Sequence, residues 1–322
     1  MNDYFSKQAV GNMKGLFAIM VLVHHIFMKV LILPEASLAE FITHHFGYWA
    51  VSAFFFFSGY GLTISSGKAG YKEHFLRNRV LPIFLINATL IAIYSIEKVL
   101  LGIPITGAKF LHSFLLGETI VNFGWFMQII VIFYLLFGIS SNFKSRYAEI
   151  LTLLILVYIV VCMVLHFIDC YYLSSLAFPF GVYFCKYKDK IDDACRNKKL
   201  MKLFIAAFAF ATIMSIVYLL QMGTLNIGFI SLPLYFLEGP LLMCFIVMLM
   251  KSFTIDSHSL AFCGSISFAI YVMQGFVYNL LRNGFWKLDN MHISAILWFV
   301  GTFVIAYFTQ PLLNMIMRKV RV

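Results

Sequence analysis

The chain has 322 residues, of which 62% are apolar and only 12% carry a charged side chain. Soluble domains are about 45–50% apolar and about 25% charged, so composition excludes an ordinary soluble protein, and it equally excludes a disordered or collagen-like chain. The mean hydropathy of +0.90 indicates that the excess apolar surface faces a lipid bilayer. The net charge of +10 fits either a nucleic-acid binder or a membrane protein, so the position of the charges must separate these two classes.

Ten stretches are apolar enough to cross a membrane as helices, because a spanning helix needs roughly 20 such residues. The sixth is short and contains Pro179 and Gly181, which favours a tilted, broken or re-entrant segment. The sequence therefore predicts an all-α, polytopic membrane helix bundle with about ten transmembrane helices. The predicted spans are residues 16–33, 47–65, 80–101, 123–140, 150–168, 172–186, 202–220, 227–250, 260–281 and 293–317.

Basic residues orient these spans, because Lys and Arg concentrate in short cytoplasmic loops. Nineteen of the 24 Lys and Arg residues lie at the two termini and in every second connection. Lys29 lies inside the first span, and the opposite side holds only Lys98, Lys109, Arg282 and Lys287. Both termini are therefore predicted to be cytoplasmic, and the net charge is explained without a nucleic-acid partner.

The whole chain, residues 1–322, is predicted to be one membrane domain with no appended soluble domain. Its basic N-terminus resembles the start of a signal peptide, but no small-residue cleavage site follows the first apolar run, so that helix is predicted to be retained. The six cysteines show no C-x-x-C spacing, which argues against a disulfide framework or a cysteine metal site. No metal site and no internal repeat are predicted.

Ionisable residues inside a span are costly unless they face a cavity or a partner, so each one suggests a function. His25 lies about ten residues into the predicted first helix, roughly 15 Å from its cytoplasmic end, which places it near mid-membrane. Imidazole is the usual general base near neutral pH, and a packing histidine is the alternative. Lys14 lies three turns earlier on nearly the same stripe, Lys29 is expected to extend to the outer interface, and His24 is expected to bond to a neighbouring helix.

Two other sets of charged residues leave alternatives open. Glu238 is the only acid deep inside a predicted span, and it precedes a Gly-Pro pair that interrupts helical hydrogen bonding. It either orients His25, as the acid of a base-orienting pair does, or is a protonated carboxyl that fills the broken helix. Arg77 and Arg79 stand just before the third span, where they either bind phosphate through their planar guanidinium groups or only orient the chain.

Three stretches carry motifs with a recognisable order. A basic residue is followed by Gly, an apolar run and a histidine eleven positions later, from Lys14 to His25. The second span contains VSAFFFFSGYGL, and FLRNRVLP precedes the third. Together they resemble the acyltransferase-3 family of integral-membrane proteins, whose helices carry such a basic-Gly-His spacing, an F-F-x-x-S-G-F signature and arginines at helix three. Weaker similarity at Trp125 and in GSISFAIYVMQ, where Gln274 stands at a position often held by His, extends over most of the chain.

The resemblance implies roles for these residues. In the family the histidine of the first helix is regarded as catalytic and the arginines at helix three as contacts to acyl-CoA phosphates; here those roles fall on His25, Arg77 and Arg79. Lys14 is expected to join the phosphate-binding set. Ser58 either donates a hydrogen bond to the oxyanion or serves tight helix packing. Trp125 and Gln274 are expected to contact substrate, and because glutamine cannot shuttle a proton, more of the chemistry is expected at His25.

We therefore expect an O-acyltransferase of the bacterial cytoplasmic (inner) membrane. It would move an acetyl or other acyl group from cytoplasmic acyl-CoA to a hydroxyl of an envelope or exopolysaccharide sugar, or of its lipid-linked precursor. His25 would act as general base or transient acyl acceptor, with no permanently bound cofactor. Acyl-CoA, the glycan or lipid-linked sugar and membrane lipids are the expected partners. The alternatives are a proton-coupled secondary transporter that uses His25, Lys29 and Glu238, and a non-catalytic scaffold of a polysaccharide synthesis complex.

Overall fold

The computed structural model describes residues 4–31, 38–115, 119–194, 198–221, 228–253, 255–284 and 290–320. It is 83% helical and these residues include no strand, which confirms the all-α prediction. Within them, four helices are long and apolar enough to cross a membrane, or five if a bent pair counts as one span. The count of about ten spans and the cytoplasmic termini stay predictions. The predicted span ends at residues 32–33 and at residue 227 lie outside the described residues.

Each predicted span overlaps a helix, and the ninth overlaps two. The helices are α1 (Lys7–Lys29), α2 (Leu38–Ser66), α3 (Leu81–Leu100), α4 (Gly107–His112), α5 (Trp125–Ser140), α6 (Tyr147–Val164), α7 (Ala177–Lys186), α8 (Lys188–Ala194), α9 (Lys198–Gln221), α10 (Gly228–Ser252), α11 (His258–Ser265), α12 (Ser267–Asn283) and α13 (Met291–Val320). A π-helical turn at Leu76–Val80 precedes α3, and 3-10 turns lie at Ser141–Arg146 and Asp169–Tyr171.

Helix α1 begins much earlier than predicted. Its first turn is capped by Ser6, whose hydroxyl accepts a hydrogen bond from the backbone nitrogen of Ala9 at 3.2 Å, and such a cap satisfies one of the free N–H groups of a helix start. The helix then continues to Lys29, so that His25 is the nineteenth of its 23 residues. His25 thus lies 18 residues, about 27 Å, from the start of the helix and about one turn before its C-terminal end, where the sequence predicts about ten residues from the start. Its predicted place near mid-membrane stays a prediction.

Helices α11 and α12 wrap around α1. They meet at a bend of 69°, and both contact α1. Where α11 crosses α1 the backbones touch, because a methyl group on Gly264 would clash with the carbonyl oxygen of Gly11, and one on Gly15 would clash with that of Leu260. Lipid tails are as apolar as side chains, so close packing of small residues is what holds membrane helices together. This contact positions α12 against the C-terminal half of α1.

The second close contact joins α2 to α7. A methyl group on Gly59 would clash with the carbonyl oxygen of Phe178, and one on Gly181 would clash with that of Phe56. Helix α7 has only 10 residues, or about 15 Å at 1.5 Å per residue, which is half of the hydrocarbon thickness. This length agrees with the broken or re-entrant segment predicted there, and its packing against α2 provides the support that a short segment needs.

A polar cluster ties the N-terminal segment to α8 and α10. Asp192 accepts hydrogen bonds from the Tyr4 hydroxyl, from Lys188 at 2.9 Å and from Lys251 at 2.8 Å. Partial burial acts to raise the pKa of Asp192, but the hydrogen bonds from Lys251, Tyr4 and Lys188 outweigh it and hold the pKa at about 2. The carboxylate therefore stays charged and anchors the segment that leads into α1.

Candidate active site

The buried imidazole of His25 is held by a side chain of α12. Its Nδ1 lies 3.0 Å from Oε1 of Gln274, and the amide nitrogen of Gln274 donates to the carbonyl oxygen of Tyr271 at 3.0 Å. The second bond fixes the amide orientation, because a carbonyl oxygen only accepts. The amide oxygen therefore faces His25, Nδ1 must carry a proton, and Nε2 keeps its lone pair.

An aromatic ring fixes the plane of the imidazole. Phe123 stacks on His25 with ring centroids 4.0 Å apart and an interplanar angle of 23°. Phe123 has a φ of 63°, which is uncommon for a bulky residue and costs energy unless its surroundings enforce it. The hydroxyl of Tyr271 supplies that enforcement: it donates to the carbonyl oxygen of Phe123 and accepts from the backbone nitrogen of Phe126 at 3.1 Å. Helix α12 thus positions both groups that hold His25.

Helix α13 closes the cluster with one fully buried side chain. The indole nitrogen of Trp298 donates to the carbonyl oxygen of Gln274 at 2.7 Å. Its ring packs against Tyr278 at 4.8 Å and against Phe123 at 6.3 Å between centroids. His25 on α1 is therefore held by Gln274 of α12 and by Phe123 of the segment before α5, which Trp298 of α13 supports, and the ring of His24 lies 5.0 Å away between centroids.

A second polar network lies beside this cluster. Asn122, which precedes Phe123, donates from Nδ2 to Oδ1 of Asn279 at 2.6 Å, and Asn279 donates from Nδ2 to Oε2 of Glu97 at 2.9 Å. Glu97 is only 4% exposed, so Glu238 is not the only buried acid among the described residues, although Glu97 lies near the C-terminal end of α3 and not deep inside it. The other carboxylate oxygen of Glu97, Oε1, has no hydrogen-bond partner in the described residues.

Glu238 has partners of its own on α2. Its Oε1 accepts a hydrogen bond from the indole nitrogen of Trp49 at 2.8 Å, and its Oε2 lies 3.7 Å from Nε2 of His45. The hydrogen bond of His25, by contrast, goes to Gln274. Glu238 therefore connects α10 to α2, and this position gives no support to the alternative in which it orients His25.

His24 and Lys29 of the first span and Ser58 of the second have positions that indicate packing or interface roles. His24 places Nδ1 2.7 Å from the carbonyl oxygen of Thr43 on α2, which confirms the predicted bond to a neighbouring helix. Lys29 is exposed, in agreement with extension to an interface. Ser58 is half-buried beside Gly59 and its contact with α7, a position that favours packing over an oxyanion role.

Trp125 and the predicted donor residues Arg77 and Arg79 have contacts of their own in the described part of the chain. The ring of Trp125 packs against Tyr171 at 6.0 Å between centroids. Arg77 donates from Nε to the carbonyl oxygen of Val320 at 3.1 Å, and Arg79 donates from Nη2 to Oγ of Ser65 at 2.6 Å. Both arginines stand on the π-helical turn before α3, and such turns are frequent at functional sites.

The basic residues lie far along their helices from His25 and Glu97. Glu97 follows Arg79 by 18 positions, about 27 Å along α3, and His25 follows Lys14 by eleven, about 16 Å along α1. Arg77 and Arg79 thus precede α3 and Lys14 is the eighth residue of α1, whereas His25 and Glu97 lie near the C-terminal ends of these helices. The roles predicted for Lys14, Arg77, Arg79, Ser58, Trp125, Gln274, Glu238 and His25 stay predictions.

The comparison with protein families agrees with the motifs. The acyltransferase-3 family model, described as an acyltransferase domain, matches residues 8–310. That range contains His25, the residues that hold it, and the basic residues Lys14, Arg77 and Arg79. No curated protein and no solved structure matched the chain.

Proposed function

This chain belongs to the acyltransferase-3 family and is a membrane acyltransferase, and we propose that it is an O-acyltransferase that acts through His25. In this proposal the acyl group, acetyl in the simplest case, comes from cytoplasmic acyl-CoA and goes to a hydroxyl of an envelope or secreted glycan, or of its lipid-linked precursor. The protein would reside in the inner membrane of a bacterium.

The single observation that carries the proposal is the bond from His25 Nδ1–H to Gln274 Oε1. In the neutral imidazole this bond leaves Nε2 as the basic atom, which is the state that a general base requires. His25 Nε2 takes the proton of the acceptor hydroxyl while that oxygen attacks the thioester carbonyl. The carbon–sulfur bond then breaks, and the imidazolium returns the proton to the CoA sulfur. In the second form of the mechanism Nε2 attacks the thioester carbonyl and CoA leaves as its thiolate. The acyl-imidazole then passes its acyl group to the hydroxyl, whose proton goes to the CoA sulfur, and His25 is regenerated.

The basic end of the bundle is the proposed donor site. Arg77 and Arg79 each use one donor atom in an internal hydrogen bond, and a guanidinium group has five N–H donors, so each keeps donors for phosphate oxygens. Lys14 lies between this end and His25 along α1. The phosphates of acyl-CoA would bind at the arginines, and the acyl-bearing arm would extend along α1 towards Nε2.

The proposed topology has ten crossings with both termini in the cytoplasm. The segment Trp125–Val164, of 40 residues, is a single candidate membrane span by its length and apolar composition. A continuous helix of that length would measure about 60 Å, which is twice the hydrocarbon thickness. Lys144 has a φ of 44° within the turn between α5 and α6, and the two helices contact each other. This segment is therefore a helical hairpin, which supports two crossings in place of one.

The test uses purified full-length protein in lipid nanodiscs with radiolabelled acetyl-CoA and a glycan acceptor. The wild type is expected to label the glycan, and His25→Ala to lower the rate at least about 100-fold, as loss of a general base does. His292→Ala, at an exposed position, is the matched control and should retain full activity. Unchanged transfer by His25→Ala would refute the proposal. Substrate-driven proton flux without CoA dependence would instead indicate a proton-coupled transporter.

A further inference from the structure

The network of Glu97, Asn279 and Asn122 has features that the reaction at His25 does not use. It contains a carboxylate and two amides at the ends of α3 and α12 and before α5. Glu97 is 4% exposed and Asn279 is 3% exposed. A buried carboxylate oxygen without a partner is costly, and Glu97 Oε1 is in that position among the described residues. The network therefore has an unused acceptor.

The direction of the hydrogen bonds shows which atoms remain for a ligand. Asn122 donates to Asn279, and Asn279 donates to Glu97, so the chain of donors ends at the carboxylate. An ionised carboxylate accepts hydrogen bonds only. The complementary ligand group is thus a donor, and a hydroxyl is the neutral donor that can also lose its proton to a neighbouring base.

The spacing relates this network to His25. Asn279 follows Gln274, which holds the imidazole, by five residues on α12, about 7.5 Å along the helix axis and about 140° around it, so the link between the network and His25 runs through Asn122. Asn122 adjoins Phe123, whose ring stacks on the imidazole. Asn122 packs directly against the backbone of α12, because a methyl group on Gly275 would lie 2.6 Å from Cβ of Asn122. A ligand with several hydroxyls can therefore contact the carboxylate with one and reach the imidazole with another.

Resting on the proposed function, we infer that Glu97, Asn279 and Asn122 form the acceptor subsite, and that this subsite binds a hydroxyl of the sugar other than the one that is acylated. Glu97 accepts from that hydroxyl, and Asn279 orients the carboxylate through its hydrogen bond to Oε2. The subsite selects polyhydroxylated acceptors over simple alcohols, because only the former supply two donors.

The experiment compares two acceptors that share an alkyl tail. Wild-type protein in nanodiscs receives radiolabelled acetyl-CoA and either n-octyl β-D-glucopyranoside or n-octanol. Glu97→Gln keeps an oxygen for Asn279 but replaces the free carboxylate oxygen with an amide. It is expected to lower kcat/KM for the glucoside about 10- to 100-fold, as loss of a hydrogen bond to a charged group does. Transfer to octanol and the dissociation constant of CoA are expected to stay unchanged.

Two further variants separate binding from folding. Asn122→Ala should also lower kcat/KM for the glucoside and spare octanol. Glu149→Gln, the same substitution at a side chain that is 49% exposed, should change neither acceptor. An unchanged glucoside to octanol ratio in Glu97→Gln overturns the inference. An equal loss with both acceptors, together with weaker CoA binding and a lower melting temperature, overturns it in favour of a packing role.

The controls also distinguish this inference from the proposed function. Transfer to octanol that depends on His25, with no transfer to octyl glucoside, galactoside or N-acetylglucosaminide, refutes the sugar subsite and leaves the acyltransfer proposal standing. CoA release that is the same in His25→Ala and in the wild type refutes the acyltransfer proposal itself.

Discussion

Replacement of Gln274 by leucine tests whether this residue sets the tautomer of His25. Leucine is similar in size but offers no oxygen, so Nδ1–H of the imidazole loses its acceptor at 3.0 Å. The bond from Trp298 to the backbone oxygen of Gln274 does not depend on the side chain, and α12 keeps its other contacts. The variant therefore perturbs the imidazole more than the fold.

The expected effect follows from one buried donor left without a partner. That costs about 1–3 kcal/mol, and the imidazole escapes the cost by moving its proton to Nε2, which removes the basic atom from the acceptor side. We therefore expect kcat to fall about 10- to 100-fold, since 1.36 kcal/mol corresponds to a factor of ten, with KM for acetyl-CoA changed less than about twofold. Release of the CoA thiol measures both constants.

Gln274→Glu provides the rescue. It retains an oxygen at the position of Oε1, and its second oxygen, when protonated, replaces the amide nitrogen as donor to the carbonyl oxygen of Tyr271, so it should recover much of the activity that Gln274→Leu loses. Melting temperatures of the three proteins in detergent separate a catalytic loss from unfolding. If Gln274→Leu has the kcat of the wild type, or if Gln274→Glu is as impaired as Gln274→Leu, the assignment of Gln274 as the residue that positions His25 is refuted.

Three other outcomes are expected. Arg79→Ala should weaken CoA binding about tenfold in calorimetry, whereas the control Arg146→Ala should not. If Arg79→Ala binds CoA with full affinity, Arg79 serves only to orient the chain in the membrane. Gly181→Ala should destabilise the protein by about 1–3 kcal/mol, because the methyl group forces α7 from the backbone of α2; an unchanged melting temperature would contradict that contact. Asp192→Asn should cost about 1 kcal/mol after allowance for solvent screening. The folded pKa of Asp192, about 2, lies below the unfolded value of about 3.9. The stability that the wild type has over Asp192→Asn is therefore nearly complete above about pH 4 and is lost as the pH falls towards 2. Melting temperatures of the two proteins that differ equally at pH 3 and at pH 7 would contradict this.

Several features could be predicted from the sequence because they depend on local composition. The helical segments follow from apolar runs of about 20 residues. His25 could be singled out because an imidazole is rare in such a run and expensive there. The short segment with Pro179 and Gly181 could be predicted to be irregular, and α7 is indeed only 10 residues long.

The partners of the polar residues could not be predicted, because they depend on where the helices begin. Helix α2 starts at Leu38 and not at residue 47, which brings His45 into the bundle and next to Glu238. Glu97 lies at the end of a predicted span and beside Lys98, and an acid in such a position is usually exposed. The usable signal was on α12, where Gln274 and Tyr278 are four residues apart and share a helix face, and where both residues and Asn279 are buried.

The separation of the two ends of the bundle bears on the chemical form of the acyl donor. Lys14 lies about 16 Å along α1 from His25, and Arg79 lies about 27 Å along α3 from Glu97. A donor whose phosphates bind at the basic end can deliver its acyl group to Nε2 only if the group is carried on a long, thin arm. Acyl-CoA has this shape, whereas a small acyl phosphate binding at the same arginines would hold its acyl group far from the imidazole. The spacing therefore favours the CoA thioester, and inhibition by CoA together with inertness towards acetyl phosphate is the outcome that this geometry requires.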